Sequence, residues 1–139
     1  MTYHIGHVPV ESLEATYPHI EEHILKALKY SPEYDVKSLL SEVVEEKLHL
    51  FTVDDGKEIV AFFTMKEEHY PKKSYVLILH MGGKKMKEWV GMVQEEMTSF
   101  AKEGGYDGIC ICGRKGWEKV LGIKPERTFF VDRFEEKDI

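Results

Sequence analysis

Cysteine is scarce in this chain: Cys110 and Cys112 are the two it has. A disulfide between residues so close together would be strained, and a zinc site needs more ligands at wider spacing. On a strand both side chains would point the same way, so they read as small buried apolar residues in a reducing compartment. Long apolar runs are missing too. No stretch approaches the ~20 residues that span a bilayer, so no membrane partner is expected. The opening Met1-Thr2-Tyr3-His4-Ile5-Gly6-His7 has neither a basic segment nor an apolar one, and no signal peptide is expected. Excess positive charge is absent as well. Lys and Arg total 19 against 25 Asp and Glu, a formal net charge of −6, so no nucleic-acid partner is expected. Repeats and low-complexity tracts are also lacking.

What is present is an ordinary globular composition: 42% hydrophobic and 12% aromatic residues in 139, enough for one domain over 1–139 with one core. Thr2 to Val8 alternates weakly and reads as a first strand. Thr16 to Tyr30 has Ile20, Ile24, Ala27 and Leu28 at helical spacing, with Pro18 fitting a first turn, and Ser31-Pro32 ends it. Asp35 reads as the N-cap of a second helix reaching Lys47, with Val36, Leu39, Leu40, Val43 and Val44 as its apolar stripe. The period then changes. Leu48 to Val53 and Glu58 to Lys66 form a hairpin around Asp54-Asp55-Gly56-Lys57. Tyr70 to Lys73 is a loop, and Ser74 to Leu79 is a nearly continuous apolar strand suited to a sheet centre. Gly82-Gly83 ends it, Lys84 to Lys102 is a long helix, and Gly104-Gly105 stops that helix. Asp107 to Cys112 is a buried strand, Lys115 to Leu121 a short helix, and Glu126 to Phe134 a last strand. The order β-α-α-β-β-β-α-β-α-β predicts an α/β fold, a mixed sheet flanked by helices on both faces with a parallel crossover in its centre.

That order, together with two segments, resembles the GNAT superfamily of acyl-CoA-dependent N-acyltransferases. The first segment is Val76-Leu77-Ile78-Leu79-His80-Met81-Gly82-Gly83-Lys84-Lys85. In the family a strand leads through a Gln/Arg-x-x-Gly-x-Gly/Ala loop into a helix, where free N–H groups and the helix dipole meet the CoA pyrophosphate. Here His80 holds the basic or amide position, one glycine is in register, and Lys85 replaces the last glycine or alanine. The second segment is Gly113-Arg114-Lys115-Gly116-Trp117-Glu118-Lys119-Val120-Leu121-Gly122-Ile123. Many members carry there a Tyr, four residues before the glycine, that protonates the leaving thiolate. This chain has Glu118. The Gly-Arg-x-Gly-Trp string is similar to small GNAT-like proteins of tailed phages.

The resemblance implies acetyl-CoA as co-substrate, bound by Met81, Gly82, Gly83, Lys84, Lys85, Met86 and Arg114, and a small amine or basic peptide as acceptor. Transfer needs a base for the amine proton. His80, Glu67 and Glu68 are the titratable groups expected nearest the thioester. His80 also reads as a strand-end histidine capping local backbone, and the two glutamates as solvated carboxylates. Three lysines at a helix N-terminus oppose the dipole, which suggests an anion there. The alternative is an inactive GNAT-like domain serving as a protein-interaction or virion component, for which the missing Tyr speaks. The expected location is the cytoplasm, or host cytoplasm or virion for a phage protein. His19-Ile20-Glu21-Glu22-His23 spells an inverted zinc-protease string, but nothing downstream completes it, so no metal is expected. Trp89 and Trp117 read as core anchors. Tyr17, Tyr30, Tyr34 and Phe51 either line a substrate groove or pack helices on the sheet.

Overall fold

The computed structural model describes residues 2–29 and 31–112. Strand β1 (His4–His7) is followed by a 3₁₀ turn at Val10–Ser12 and helix α1 (Leu13–Leu28). Helix α2 (Val36–Val44) precedes β2 (His49–Asp54), β3 (Ile59–His69) and β4 (Ser74–Gly83), and helix α3 (Met86–Glu103) leads to β5 (Gly108–Ile111). The five strands lie in chain order, β1-β2-β3-β4-β5. The first three pairings are antiparallel, and β4–β5 is parallel across α3. The expected short helix and last strand, with Arg114, Trp117 and Glu118, lie outside the described residues, as does Tyr30.

The two faces of the sheet carry separate apolar layers. Ala61, Phe63 and Met65 of β3 and Val76 and Ile78 of β4 pack with Trp89, Val90, Val93 and Met97 of α3. Leu50 of β2 and Phe62 of β3 turn the other way, onto Ile20 and Ile24 of α1 and Leu39 and Val43 of α2. Strand side chains alternate faces and helix side chains recur every three or four residues, so each element can present one apolar side to the layer it meets. Burying a side chain of this size contributes about 2 kcal/mol.

Local chemistry sets the element ends. Asp35 caps α2: its Oδ1 accepts from Ser38 N at 2.7 Å, and Asp35 N donates back to Ser38 Oγ at 2.9 Å. This reciprocal pair satisfies two otherwise orphaned donors. α3 ends in a Schellman turn, with Tyr106 N donating to Ala101 O at 2.8 Å and Gly105 N to Lys102 O at 3.2 Å. Gly105 takes φ +78, the left-handed conformation such an ending requires. In the β2–β3 turn, Asp55 Oδ1 accepts from the amides of both Lys57 and Glu58 at 2.9 Å.

Several expectations need correction. α1 starts at Leu13, led in by the 3₁₀ turn, so Pro18 sits inside the helix rather than in its first turn. α2 ends at Val44, because Glu46 turns to φ 59 and cannot continue it to Lys47. β4 does not stop before the glycines; it runs through Met81, Gly82 and Gly83. α3 starts at Met86, with Lys85 left-handed just before it at φ 58. Cys112 is exposed rather than buried, because β5 ends at Ile111.

Candidate functional site

The site grows from one irregularity in the centre of the sheet. Thr64 of β3 pairs with His80 of β4, but Met65 pairs with Ile78. Leu79 is therefore an extra residue, a β-bulge. It shifts the phase of the strand. Val76 and Ile78 face α3, and Met81 faces it again, so Leu79 and His80 both fall on the side of α1 and α2. The bulge coincides with the end of the β4–β5 ladder. The pairing closes at Ile78 with Ile111, and Cys112 N donates to Ile78 O at 2.9 Å. Beyond that point, among the described residues, His80 to Gly83 pair with β3 alone.

The bulge aims His80 inward. Its side chain is 6% exposed, and Thr64 beside it is fully buried. His80 Nδ1 lies 2.7 Å from Thr64 Oγ1, and the backbone N–H of His80 donates to the same oxygen at 3.1 Å. The Tyr34 ring stands edge-on at 4.7 Å. Burial pulls the imidazole down to about 4, with the charge of Glu42 acting weakly the other way. Tyr34 is pushed up to about 12 by burial first, then by its hydrogen bond to Glu42. His80 Nε2 is buried and has no hydrogen-bond partner among the described residues. A ring held near 4 is neutral at pH 7, but it is a weak base for an amine proton.

Beyond the bulge, packing accounts for both glycines. A Cβ on Gly82 would meet His23 O at 3.0 Å and Ala27 and Phe62 at 3.2 Å. On Gly83, at φ +151, it would stand 2.4 Å from Ala61 Cβ and Val60 O. Met81 buries its side chain in the α3 layer, and Met86 packs against the same layer. Lys84 N donates to Val60 O at 2.8 Å, and the Trp89 indole donates to Lys84 O at 2.6 Å, so the strand-to-helix corner is pinned from both sides. Lys84, Lys85 and Lys87 stand exposed at this corner and form no ion pair among the described residues. Lys84 lies near enough to help Lys26 hold the Glu22 carboxyl below its ordinary range, and Lys85 adds to the backbone amides that do the same for Asp55.

Glu67 and Glu68 are not brought to this place. They sit further along β3, opposite Val76 and Tyr75, about 10 and 14 Å from Thr64 at strand rise. Glu68 pairs with Lys66 at 3.7 Å, and Glu67 lies 3.5 Å from His69 and hydrogen-bonds Tyr106. The carboxylate that does come near His80 is Glu42 of α2, which the sequence did not single out. Thr64 was also missed; its one signal was a lone polar residue inside the apolar run Val60 to Met65. Of the aromatics, Tyr17 and Tyr34 pack on the α1–α2 layer, while Phe51 lies on the opposite face. His23 is buried and His19 exposed, so the two histidines of the zinc-protease string do not share a surface. A shallow hollow of about 620 Å³ runs along α2 past Asp35, Ser38, Glu42 and Glu45, and one of about 240 Å³ lies between His7 and Leu50. Neither hollow touches the β4–α3 corner.

Solved structures share this fold. The chain is similar to a ribosomal-protein-alanine N-acetyltransferase from Brucella melitensis biovar Abortus 2308, with TM-score 0.72 at 12% identity over 96% of this chain and 100% of that one. The fold is that of the GNAT acetyltransferases. Two further GNAT-fold structures are similar at TM-score 0.66 and 12% identity. One is glucosamine-6-phosphate N-acetyltransferase from Arabidopsis thaliana, covering 97% of this chain and 100% of that one. The other is a predicted acetyltransferase with acetyl-CoA from Clostridium acetobutylicum, covering 94% and 96%. No protein-family profile and no curated protein matches the sequence.

Proposed function

We propose that the chain binds an acyl-CoA at the β4–α3 corner and transfers its acyl group to an amine. The observation that carries this reading is the end of the β4–β5 pairing, among the described residues, at the Leu79 bulge, shortly before a helix N-terminus flanked by three exposed lysines that form no ion pair among the described residues. The donor set fits the group. First-turn amides and ammonium groups suit a pyrophosphate, and Lys84, Lys85 and Lys87 would hold it. Met81, Gly82 and Gly83 shape the corner from within the strand rather than as a loop. Acetyl-CoA, present in a neighbour of the same fold, is the acyl donor of choice. It supplies an activated carbonyl carbon. The cationic amine gives up one proton before its nitrogen bonds to that carbon; as the carbon–sulfur bond breaks, the nitrogen loses a second proton, which leaves with the thiolate as the free thiol. Glu42, beside Tyr34 and open to the hollow along α2, is the carboxylate placed to attract a cationic amine and to take the first proton.

Calorimetric titration with acetyl-CoA, followed by thiol release in the presence of polyamines and basic peptides, tests the reading. Binding that a Lys84→Ala/Lys85→Ala variant weakens about tenfold, with thiol release on adding an amine, supports it. No heat at millimolar acetyl-CoA overturns it. A second reading keeps the fold without turnover, as a protein-interaction or virion component. It is favoured by the glycine pair, which packing alone explains, and by Glu118 at the place of the thiolate-protonating Tyr. Binding without thiol release would point there.

A further inference from the structure

We infer that the Nε2–H of His80 is a side-chain hydrogen-bond donor for the carbonyl oxygen of the bound acyl group. This inference rests on the acyl-CoA reading and gives His80 the role of donor, not base.

The hydrogen-bond inventory assigns the tautomer. Thr64 Oγ1 already accepts from the His80 backbone N–H. Its own proton needs an acceptor, and His80 Nδ1 at 2.7 Å is the one available among the described residues. Were Nδ1 protonated instead, Oγ1 would accept twice and its proton would have no destination. The ring proton therefore sits on Nε2. The two ring nitrogens diverge, so Nε2–H is directed away from Thr64. On the far side of β4, among the described residues, the β5 ladder has ended at Ile78.

A side chain 94% buried that leaves a donor unpaired calls for an explanation. Its immediate neighbours are partnered: Thr64 is bonded twice, and Tyr34 lies beside Glu42. The backbone N–H of His80, which would otherwise be free at the bulge, is taken by Thr64. The strand has in effect handed its donor from the main chain to the imidazole. A neutral imidazole fixed in this tautomer stays a donor through the neutral range. A preorganised donor in a dry site is suited to a carbonyl oxygen that gains negative charge as the nitrogen attacks.

The test uses imidazole ¹⁵N-labelled protein, titrated separately with CoA and acetyl-CoA. The free protein is expected to show His80 as the Nε2–H tautomer. Acetyl-CoA should move the Nε2–H resonance, and CoA, which lacks the carbonyl, should not. In parallel, calorimetry should show acetyl-CoA favoured over CoA by about tenfold. His80→Leu should abolish that preference while leaving CoA affinity unchanged, and His80→Gln, which keeps a donor near the same place, should retain part of it. An Nδ1–H tautomer, or an Nε2–H signal that answers CoA and acetyl-CoA alike, overturns the inference while CoA binding itself leaves the acyl-CoA reading standing. Failure of both ligands to bind overturns the two together.

Discussion

The β3–β4 ladder has two ends, built in opposite ways. At the turn end, Glu67, Glu68 and His69 are exposed or half-exposed, and their charges are met by Tyr106, Lys66 and one another. At the bulge end, Thr64 and His80 are buried and bonded to each other, and His80 Nε2 is left without a partner among the described residues. A sequence reader sees three titratable residues of equal promise. The structure separates them by what surrounds them: the surface carboxylates have charged or polar neighbours, while His80 is buried with one ring nitrogen unpartnered among the described residues.

The largest expected effect is steric. Gly83→Ala should destabilise the protein by about 3 kcal/mol, since its Cβ would stand 2.4 Å from Ala61 and Val60 at a φ of +151. Gly56→Ala, at φ +91 but in open space, should cost about 1 kcal/mol. Urea unfolding of the two variants measures the contrast, and equal losses would mean that the corner is not packed as described.

Protonation comes next. In the unfolded chain His80 titrates at its ordinary 6.5, and in the folded protein at about 4. Between these values the unfolded chain binds the proton and the folded one does not. Stability is therefore complete above about pH 6.5 and falls as the pH drops toward 4, by about 3 kcal/mol from this group. His23, also lowered by burial, adds in the same direction. His80→Phe should flatten the slope between pH 7 and pH 4.5 in denaturant titrations. An unchanged slope would place the ring in water.

Smaller effects divide the two ends by function. Lys85→Glu should weaken acetyl-CoA binding about tenfold, and Lys72→Ala at the turn end should leave it unchanged; calorimetry reads both. Glu68→Gln should shift stability by less than about 0.5 kcal/mol and leave binding alone, because its partner Lys66 stands 3.7 Å away in a long, partly exposed pair. A loss of binding in Glu68→Gln would move the site toward the turn end.

Much of this was legible in the residues. The apolar spacing of Ile20 and Ile24, the Asp35 cap, the Asp54-Asp55-Gly56 turn and the Gly104-Gly105 stop each act through local chemistry, and each stands where the sequence put it. The mixed sheet with helices on both faces followed from their order. The bulge did not. Ser74 to Leu79 is apolar without interruption, so nothing marks the residue at which alternation slips. His80 was read as a candidate base or a strand-end cap; the bulge buries it against Thr64, and that burial lowers its basicity. Glu67 and Glu68 came close to it only in sequence, since an antiparallel ladder carries them toward Val76 and Tyr75 instead. Gly82 and Gly83 had two possible reasons, and only tertiary contact with Phe62, Ala61 and Val60 separates them.

The most direct measurement is an amide chemical-shift map of the labelled protein titrated with acetyl-CoA. The amides of Leu79 to Lys87 are expected to move, while those of Glu67 to Lys73 stay still. Shifts concentrated at the turn end, or none at saturating ligand, would contradict an acyl-CoA site at the bulge.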